Sequence, residues 1–285
     1  MEIGHDVWQV RYQPAVGASW LQVEVLSFAQ LRRMDREGRR VGPQRPAFHV
    51  LALVEAGVGR HRADFVDAML VPQTVVWLRP GTVHAWIDVD AVQGRLVLFT
   101  PTAAGEATTT MLNGSELPIT WNLSSTAFAL ARSAVIHLAD EHRAAVEDPA
   151  LARPAVLRHL LAALLHRVAP VAAGDDDAEK SLTRRYRDLI DAHLRERRDV
   201  AWYAARLGCS PRTLTRAVRA SSGVGAKRLL DERAVLEAKR LLAHTDLPAA
   251  RVASRLGFED AANFATYFRR RVGTSPRDWR RHQRS

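Results

Sequence analysis

The chain has 285 residues, 47% of them hydrophobic and 25% charged, which is typical of a globular protein with room for two ordinary domains. No apolar run approaches the roughly 18 residues that span a bilayer, and the N-terminus has no basic segment followed by a hydrophobic one, so we expect neither a membrane span nor a secretory signal. A single cysteine excludes a disulfide framework and a cysteine-based metal site, and we expect a cytoplasmic protein.

The positive charge is distributed unevenly along the chain, whose formal net charge is +10. Residues 181–285 contain 24 Lys or Arg and 11 Asp or Glu, a net charge of +13, whereas residues 1–180 have a net charge of −3. Positive charge confined to one third of a chain is typical of a domain that binds a polyanion. A basic surface that only keeps the domain in solution is the alternative.

Residues from about 20 to about 100 are predicted to form short strands. The runs FHVLALVEAG, AMLVPQTVVWL and GRLVLFT are rich in Val, Leu and aromatic residues, and Gly or Pro bounds them. Regularly spaced short strands favour an antiparallel barrel or sandwich over a parallel sheet.

Two helices are predicted next, because apolar residues recur at helical spacing from about Ser125 to Val146 and from about Leu151 to Val168. The apolar stripe of the second helix comprises Leu157, Leu160, Leu161, Leu164, Leu165 and Val168. The stripe can pack inside the protomer or form a dimer face. We predict that it does both and that the protein is a homodimer.

The segment PVAAGDDDAEK, residues 170–180, is predicted to contain a linker, because it combines Pro, Gly, small residues and an acidic triplet without apolar periodicity. We therefore divide the chain into an N-terminal domain at 1–170, a linker at 171–180 and an all-helical domain at 181–285. The predicted fold class is α+β: an antiparallel β-barrel with following helices, then an all-α domain.

The C-terminal third contains two similar segments about fifty residues apart. They are AARLGCSPRTLTRAVRASSG, Ala204–Gly223, and ASRLGFEDAANFATYFRRRVG, Ala253–Gly273. In each, a Leu-Gly pair ends a first helix, where glycine takes a left-handed backbone without strain. A second helix follows, capped by Ser210 in the first segment and by Asp260 in the second. The pattern predicts two helix-turn-helix units joined by one long helix.

The second helix of the first unit is predicted to enter the major groove. Leu214 and Val218 are one turn apart and face the core, which leaves a basic outer face. Arg212, Thr215 and Arg216 lie where base edges are reached, and an arginine there can bind guanine through two hydrogen bonds. Arg219, further along, is expected to hold a phosphate.

The equivalent helix of the second unit buries Phe264 and Phe268 and carries fewer polar groups on its outer face. Asn263 can bind adenine, while Ala262 and the methyl group of Thr266 can contact a thymine methyl. Backbone contacts are expected from the arginines of this helix, which are Arg269, Arg270 and Arg271. The first unit is therefore expected to supply most of the base discrimination.

The segment from about Ser181 to Arg281 resembles the DNA-binding domain of the AraC family of bacterial regulators. The resemblance rests on VAWYAARLGCSPRTLTRAVRASSG and ERAVLEAKRLLAHTDLPAARVASRLGFEDAANFATYFRRRVGTSPRDWR. It implies control of transcription by binding double-stranded promoter DNA, contact with RNA polymerase and a ligand-sensing N-terminal domain. By position, the family's base-contacting sites fall on 212, 215, 216, 262, 263 and 266. Alanine at 262 departs from the polar residue often found there.

The N-terminal domain is similar to the small cupin-type barrel of that family, with RPGTVHAW, Arg79–Trp86, resembling its proline-glycine turn and following histidine. We expect this barrel to bind a small-molecule effector, since aromatic walls with a few polar groups suit such a ligand. The predicted pocket residues are Arg60, His61, Trp77, His84 and Trp86. A core role for Trp77 is the alternative.

His49, His61 and His84 raise the alternative of a metal-dependent cupin enzyme. The His-X-His pair with a downstream Glu that is typical of such enzymes is missing, so we expect no metal, no cofactor and no catalytic residue. A DNA-binding protein without a sensor is a second alternative. Cys209, in the first turn, is predicted to be a small apolar plug rather than a redox switch.

Overall fold

The computed structural model describes residues 8–10, 21–34, 42–105, 108, 118–169 and 178–284. These residues form two compact units, 8–169 and 178–284. Most of the predicted linker, 171–177, lies outside the described residues, and 178–180 begin the first helix of the C-terminal unit. No described helix is long and apolar enough to cross a membrane.

The described part of the N-terminal unit contains ten strands and a short helix, α1 (Phe28–Met34), directly after the second strand. The strands are β1 (Trp8–Val10), β2 (Val23–Ser27), β3 (Gln44–Pro46), β4 (His49–Ala56), β5 (Gly59–Ala63), β6 (Val66–Leu70), β7 (Thr74–Leu78), β8 (His84–Asp88), β9 (Gln93–Phe99) and β10 (Thr120–Asn122). They form two five-stranded sheets with the orders β1-β3-β8-β5-β6 and β10-β7-β4-β9-β2.

The strand pairs of both sheets are antiparallel, apart from the parallel pair β1 and β3. One core lies between the two sheets and includes Val50, Leu78 and Trp86. The other face of the second sheet packs against two helices through Leu51 and Val97. Strands β4 and β7 are therefore buried on both faces, which explains their continuous apolar runs.

The two helices after the strands confirm the predicted pattern. They are α2 (Ser125–Glu147) and α3 (Pro154–Val168), separated by a 3₁₀ turn at Pro149–Leu151. Five residues of the predicted stripe are 0–3% exposed and pack against α2 and the sheet; they are Leu157, Leu161, Leu164, Leu165 and Val168. These five residues are thus buried inside the protomer and are not available for the dimer face that was also predicted for the stripe, while its sixth residue, Leu160, is half-buried.

The described part of the C-terminal unit contains seven helices. They are α4 (Ala178–His193), α5 (Val200–Arg206), α6 (Pro211–Ser222), α7 (Ala226–His244), α8 (Ala249–Arg255), α9 (Ala261–Val272) and α10 (Pro276–Arg284). Helices α5 and α6 form the first helix-turn-helix unit, α8 and α9 form the second, and α7 is the predicted long helix between them. The predicted α+β fold class is confirmed.

The core between the two sheets differs from the cores of the C-terminal unit because it buries two neighbouring histidines. His61 and His84 are 0% and 4% exposed, and His61 Nε2 lies 3.2 Å from His84 Nδ1. The His61 ring also packs at 4.5 Å from the Trp86 ring. Burial lowers the pKa of His61 to about 3, against a small opposing effect of Asp67. Burial, and then the charge of His61, hold the pKa of His84 well below its ordinary value.

We predict from these pKa shifts that the N-terminal unit loses stability in mild acid. Both imidazoles have folded pKa values below the ordinary 6.5, so their neutral forms stabilise the fold fully above about pH 6.5, and this contribution is lost as the pH falls. Acidification to about pH 5 should lower the free energy of unfolding by roughly 2 kcal/mol through His61, and His84 acts in the same direction. Urea denaturation of the full chain, followed by circular dichroism, measures this loss. A His61→Leu variant should show a smaller loss on acidification, and an undiminished loss in that variant would contradict the assignment.

Candidate DNA interface and effector region

The two helix-turn-helix units have the same turn geometry. Gly208 and Gly257 have φ values of +69° and +71°, in the left-handed region where a side chain causes strain. The residue after each glycine donates its amide hydrogen to a carbonyl of the preceding helix at 3.0 Å, that of Ala204 in one unit and Ala253 in the other. Cys209 is half-buried in the first turn and packs against the core of its unit.

Both recognition helices, α6 and α9, begin at the predicted caps. The Ser210 hydroxyl accepts a hydrogen bond from the Thr213 amide at 3.1 Å, and the Asp260 carboxylate accepts one from the Asn263 amide at 2.7 Å. Each helix ends at a left-handed glycine, 223 or 273. Their length and direction are therefore set by local sequence.

The first recognition helix presents the predicted basic face to solvent. Leu214 and Val218 are fully buried, while Arg212, Arg216 and Arg219 are exposed and Thr215 is half-buried. Arg216 Nε lies 3.5 Å from Glu179 Oε1 on α4, with 76% of the arginine side chain exposed. An acidic side chain thus lies beside one of the predicted base-reading groups.

The second recognition helix exposes the five predicted contact residues other than Arg271. They are Ala262, Asn263, Thr266, Arg269 and Arg270. The Asn263 side-chain amide donates to the Asp260 carboxylate at 2.6 Å, so a bond to a base would have to replace this contact. Arg271 instead donates to the buried carboxylate of Asp231 on α7, and this contact competes with the phosphate role predicted for it.

A groove of about 950 Å³ lies between α6, α7 and α9, next to both recognition helices. Its cationic lining includes Arg219 and Arg270, together with Lys227, Arg228 and Lys239 of α7. None of the three α7 cations was predicted from the sequence as a contact residue. The run AKRLL, directly after the turn that ends α6, was the signal that could have placed Lys227 and Arg228 beside the first recognition helix.

The five predicted effector residues are not brought together. His61, His84 and Trp86 lie in the core between the two sheets. Arg60 precedes His61 on β5, so it faces the opposite side of the sheet and is exposed. Trp77 packs in the core between sheet and helices, where its Nε1 donates to His49 Nδ1 at 3.2 Å. The prediction that all five line one pocket is therefore wrong, because sequence did not fix which face each strand residue uses.

The three histidines that raised the metal alternative do not converge. His49 lies on the helix-facing side of its sheet and stacks on Phe99 at 4.8 Å between ring centroids, away from His61 and His84. Its pKa is lowered to about 4, mainly by burial and also by the charge of Arg79. Within the described ranges, no three His, Cys, Asp or Glu side chains are grouped as metal ligands.

Comparisons with known proteins agree with the division of the chain into an N-terminal unit and a helical C-terminal unit. The sequence model of the AraC-like ligand-binding domain matches residues 30–182, and that of a helix-turn-helix domain matches residues 203–282. The chain is 28% identical over 246 residues to the HTH-type transcriptional activator RhaS of Salmonella arizonae, covering 82% of this chain and 85% of the relative.

Two solved structures give partial likenesses. One is the C-terminal domain of AraT, a response regulator from Geobacillus stearothermophilus. It is 31% identical, the match covers 35% of this chain and 84% of that chain, and the TM-score is 0.34. The other is ToxT from Vibrio cholerae O395, with 12% identity, 82% of this chain and 88% of that chain covered, and a TM-score of 0.41.

The match to the ligand-binding domain alone extends over more than half of the chain, and the helix-turn-helix match covers most of the C-terminal unit. These are the two parts of a regulator that binds DNA through one domain and an effector through the other. The chain belongs to the AraC family of transcriptional regulators, a class of DNA-binding proteins rather than enzymes.

Proposed function

We propose that this regulator binds promoter DNA with both recognition helices of one protomer and that α6 supplies most of the sequence discrimination. One observation carries the proposal: α6 and α9 are capped in the same way, and each exposes its outer face. Both helices belong to the C-terminal unit, whose net charge is +13. Two such helices on one rigid unit address major-groove faces about 34 Å apart, or one turn of the duplex.

The contact residues that we propose divide by position. In α6, Arg212, Thr215 and Arg216 contact bases and Arg219 holds a phosphate. In α9, Asn263 contacts a base once it leaves Asp260, Ala262 and Thr266 make apolar contacts, and Arg269 and Arg270 hold the backbone.

Selection of bound sequences from a random duplex library, with the full chain at moderate salt, tests the proposed function. We expect one two-part motif whose halves lie about one helical turn apart. A protein that recovers no motif and binds random competitor equally well, with a steep dependence on salt, would be a sequence-independent DNA binder and would overturn the proposal.

We also propose a cytoplasmic homodimer that activates transcription by contact with RNA polymerase, in line with the relative RhaS, an HTH-type transcriptional activator. Exposed apolar side chains where α2, the 3₁₀ turn and α3 meet favour a second copy as partner; they are Val146, Leu151 and Val156. A single monomeric species in sedimentation velocity at micromolar concentration would contradict the dimer. Transcription in vitro from the selected site, with purified polymerase, tests activation.

We propose that the effector binds in the barrel near His61, His84 and Trp86, the three predicted residues that share one core. The Nδ1 atom of His61 is buried and has no hydrogen-bond partner among the described residues, so a ligand with a polar group could satisfy it.

The proposal ranks Arg216 above Thr266 in base discrimination. Arg216→Ala removes a side chain able to make two hydrogen bonds to guanine, and we expect it to relax the motif at one position at a cost of about 1–3 kcal/mol. Thr266→Ala removes one methyl contact and should change the motif less. Parallel selections with the two variants measure both effects, and equal relaxation would contradict the ranking.

Glu179 should weaken DNA binding, because its carboxylate lies beside Arg216 and adds negative charge near the duplex. We expect Glu179→Gln to raise affinity for the selected site by about two- to five-fold at low salt, the range of an exposed ion pair. Electrophoretic mobility shift measures the change.

Glu196→Gln is the matched control, since Glu196 is exposed in the same unit and lies 3.7 Å from His193 rather than beside a recognition helix. An equal gain in both variants would mean that net charge alone, and not the contact with Arg216, limits affinity.

A further inference from the structure

Helix α7 belongs to two separate hydrophobic cores. Its first half contributes Leu230 and Ala234 to the core of the first helix-turn-helix unit, and its second half contributes Leu241 and Leu242 to that of the second. Burial therefore stabilises each unit mainly through its own residues, and Tyr267 of α9 also packs against the first core. The angle between the units depends on α7 and on the contacts that cross from one unit to the other.

One buried carboxylate makes several of these crossing contacts. Asp231 lies on the first half of α7, and its side chain is 4% exposed. Its Oδ1 accepts a hydrogen bond from the Tyr267 hydroxyl at 3.0 Å, and its Oδ2 accepts one from Arg271. Tyr267 and Arg271 are both on the second recognition helix, α9. The carboxylate thus attaches α9 to the part of α7 that packs in the first unit.

A cation that lies just before the first helix-turn-helix unit approaches the same carboxylate. Arg198, between α4 and α5, places Nη2 at 3.8 Å from Asp231 Oδ1. Its guanidinium lies over the rings of Phe258 and Tyr267 in the second unit, at 3.8 Å and 4.4 Å from the centroids. Because 16% of the Arg198 side chain is exposed, these cation–π contacts form in a largely dry environment.

The arrangement depends on the negative charge. Arg198 and Arg271 both lie against the Tyr267 ring and would repel each other without the carboxylate between them. Removing one partner of a buried ionic group leaves the others uncompensated, which is costly. Lys227 adds a third cation at 2.9 Å, so the loss of Asp231 would leave three positive charges in one place.

We propose that Asp231 is a positioning residue that fixes the distance and rotation between the two recognition helices. It thereby determines which spacing between the two half-sites the protomer accepts. The inference rests on the proposed function, since it needs both helices to contact DNA. One base pair added between half-sites moves them apart by about 3.4 Å and rotates them by roughly 35°, so a rigid pair of helices rejects it.

The test uses the full chain and three variants. Asp231→Asn keeps the size of the side chain and removes its charge. Tyr267→Phe removes only the hydroxyl that joins α9 to Asp231, and it decides the question if Asp231→Asn does not fold. Tyr203→Phe is the matched control, because the Tyr203 hydroxyl donates to the Arg197 carbonyl at 2.9 Å inside the first unit.

The measurement is the affinity for the selected site divided by the affinity for the same site with one base pair inserted or deleted between its halves. We expect this ratio to fall by about five-fold in Asp231→Asn, or roughly 1 kcal/mol, and by about two-fold in Tyr267→Phe. It should stay at the wild-type value in Tyr203→Phe. A structural role without positioning would lower affinity for all spacings equally and leave the ratio unchanged.

An unchanged ratio in both Asp231→Asn and Tyr267→Phe would overturn the proposal, as would an equal fall in all three variants. A wild-type chain that prefers no sequence at all would overturn the proposed function, and this inference with it. These results are distinguishable, because only the last one concerns the wild-type chain.

Discussion

Two recognition helices can enter successive major grooves together only if the protein holds them at a fixed distance and rotation, and α7 carries this constraint. A helix that serves two cores must present apolar residues on more than one side. Because α7 is covered on more than one side, some of its polar residues are buried as well. Asp231 and Glu237 are 3% and 6% exposed. Each is paired with a cation from elsewhere in the unit, Glu237 with Arg195 at 3.2 Å. A buried ionic contact is weak evidence for added stability, and we infer that these contacts specify geometry.

The arginines of the C-terminal unit serve two purposes, and burial separates them. Arg198 and Arg271 are 16% and 31% exposed and are bound to a carboxylate and to aromatic rings, whereas Arg216 on α6 is 76% exposed. A net charge of +13 therefore overstates the number of groups available to phosphates. Charge counting indicates that a domain binds a polyanion, but contacts decide which cations remain for it.

The features that could be predicted from sequence are those with local causes. The glycine turns at 208 and 257 and the caps at 210 and 260 depend on residues within a few positions, and the buried pairs of α6 and α9 follow from helical periodicity. The predicted barrel pocket was wrong because its residues are placed by contacts that are not local in sequence. Strands β4 and β7 are apolar on both faces, so no alternation marked which side Trp77 uses. The bridge at Asp231 joins residues 33 to 40 positions apart, and no sequence period places them together.

An effector changes DNA affinity only through a difference in its affinity for the competent and incompetent arrangements. Helix α4 is the first described element after the linker, and it contacts both α6 and α7. Tyr186 donates to the Ala226 carbonyl at 3.0 Å, Ser221 donates to the Thr183 hydroxyl at 2.8 Å, and Glu179 lies beside Arg216. Because one helix holds the start of α7 and also carries the acid beside Arg216, a shift of α4 would change two of the features proposed to control DNA binding. Coupling through α4 would therefore act on the exposed face of α6 and on the alignment of the two helix-turn-helix units together. By reciprocity, bound DNA would favour one effector state by the same free energy.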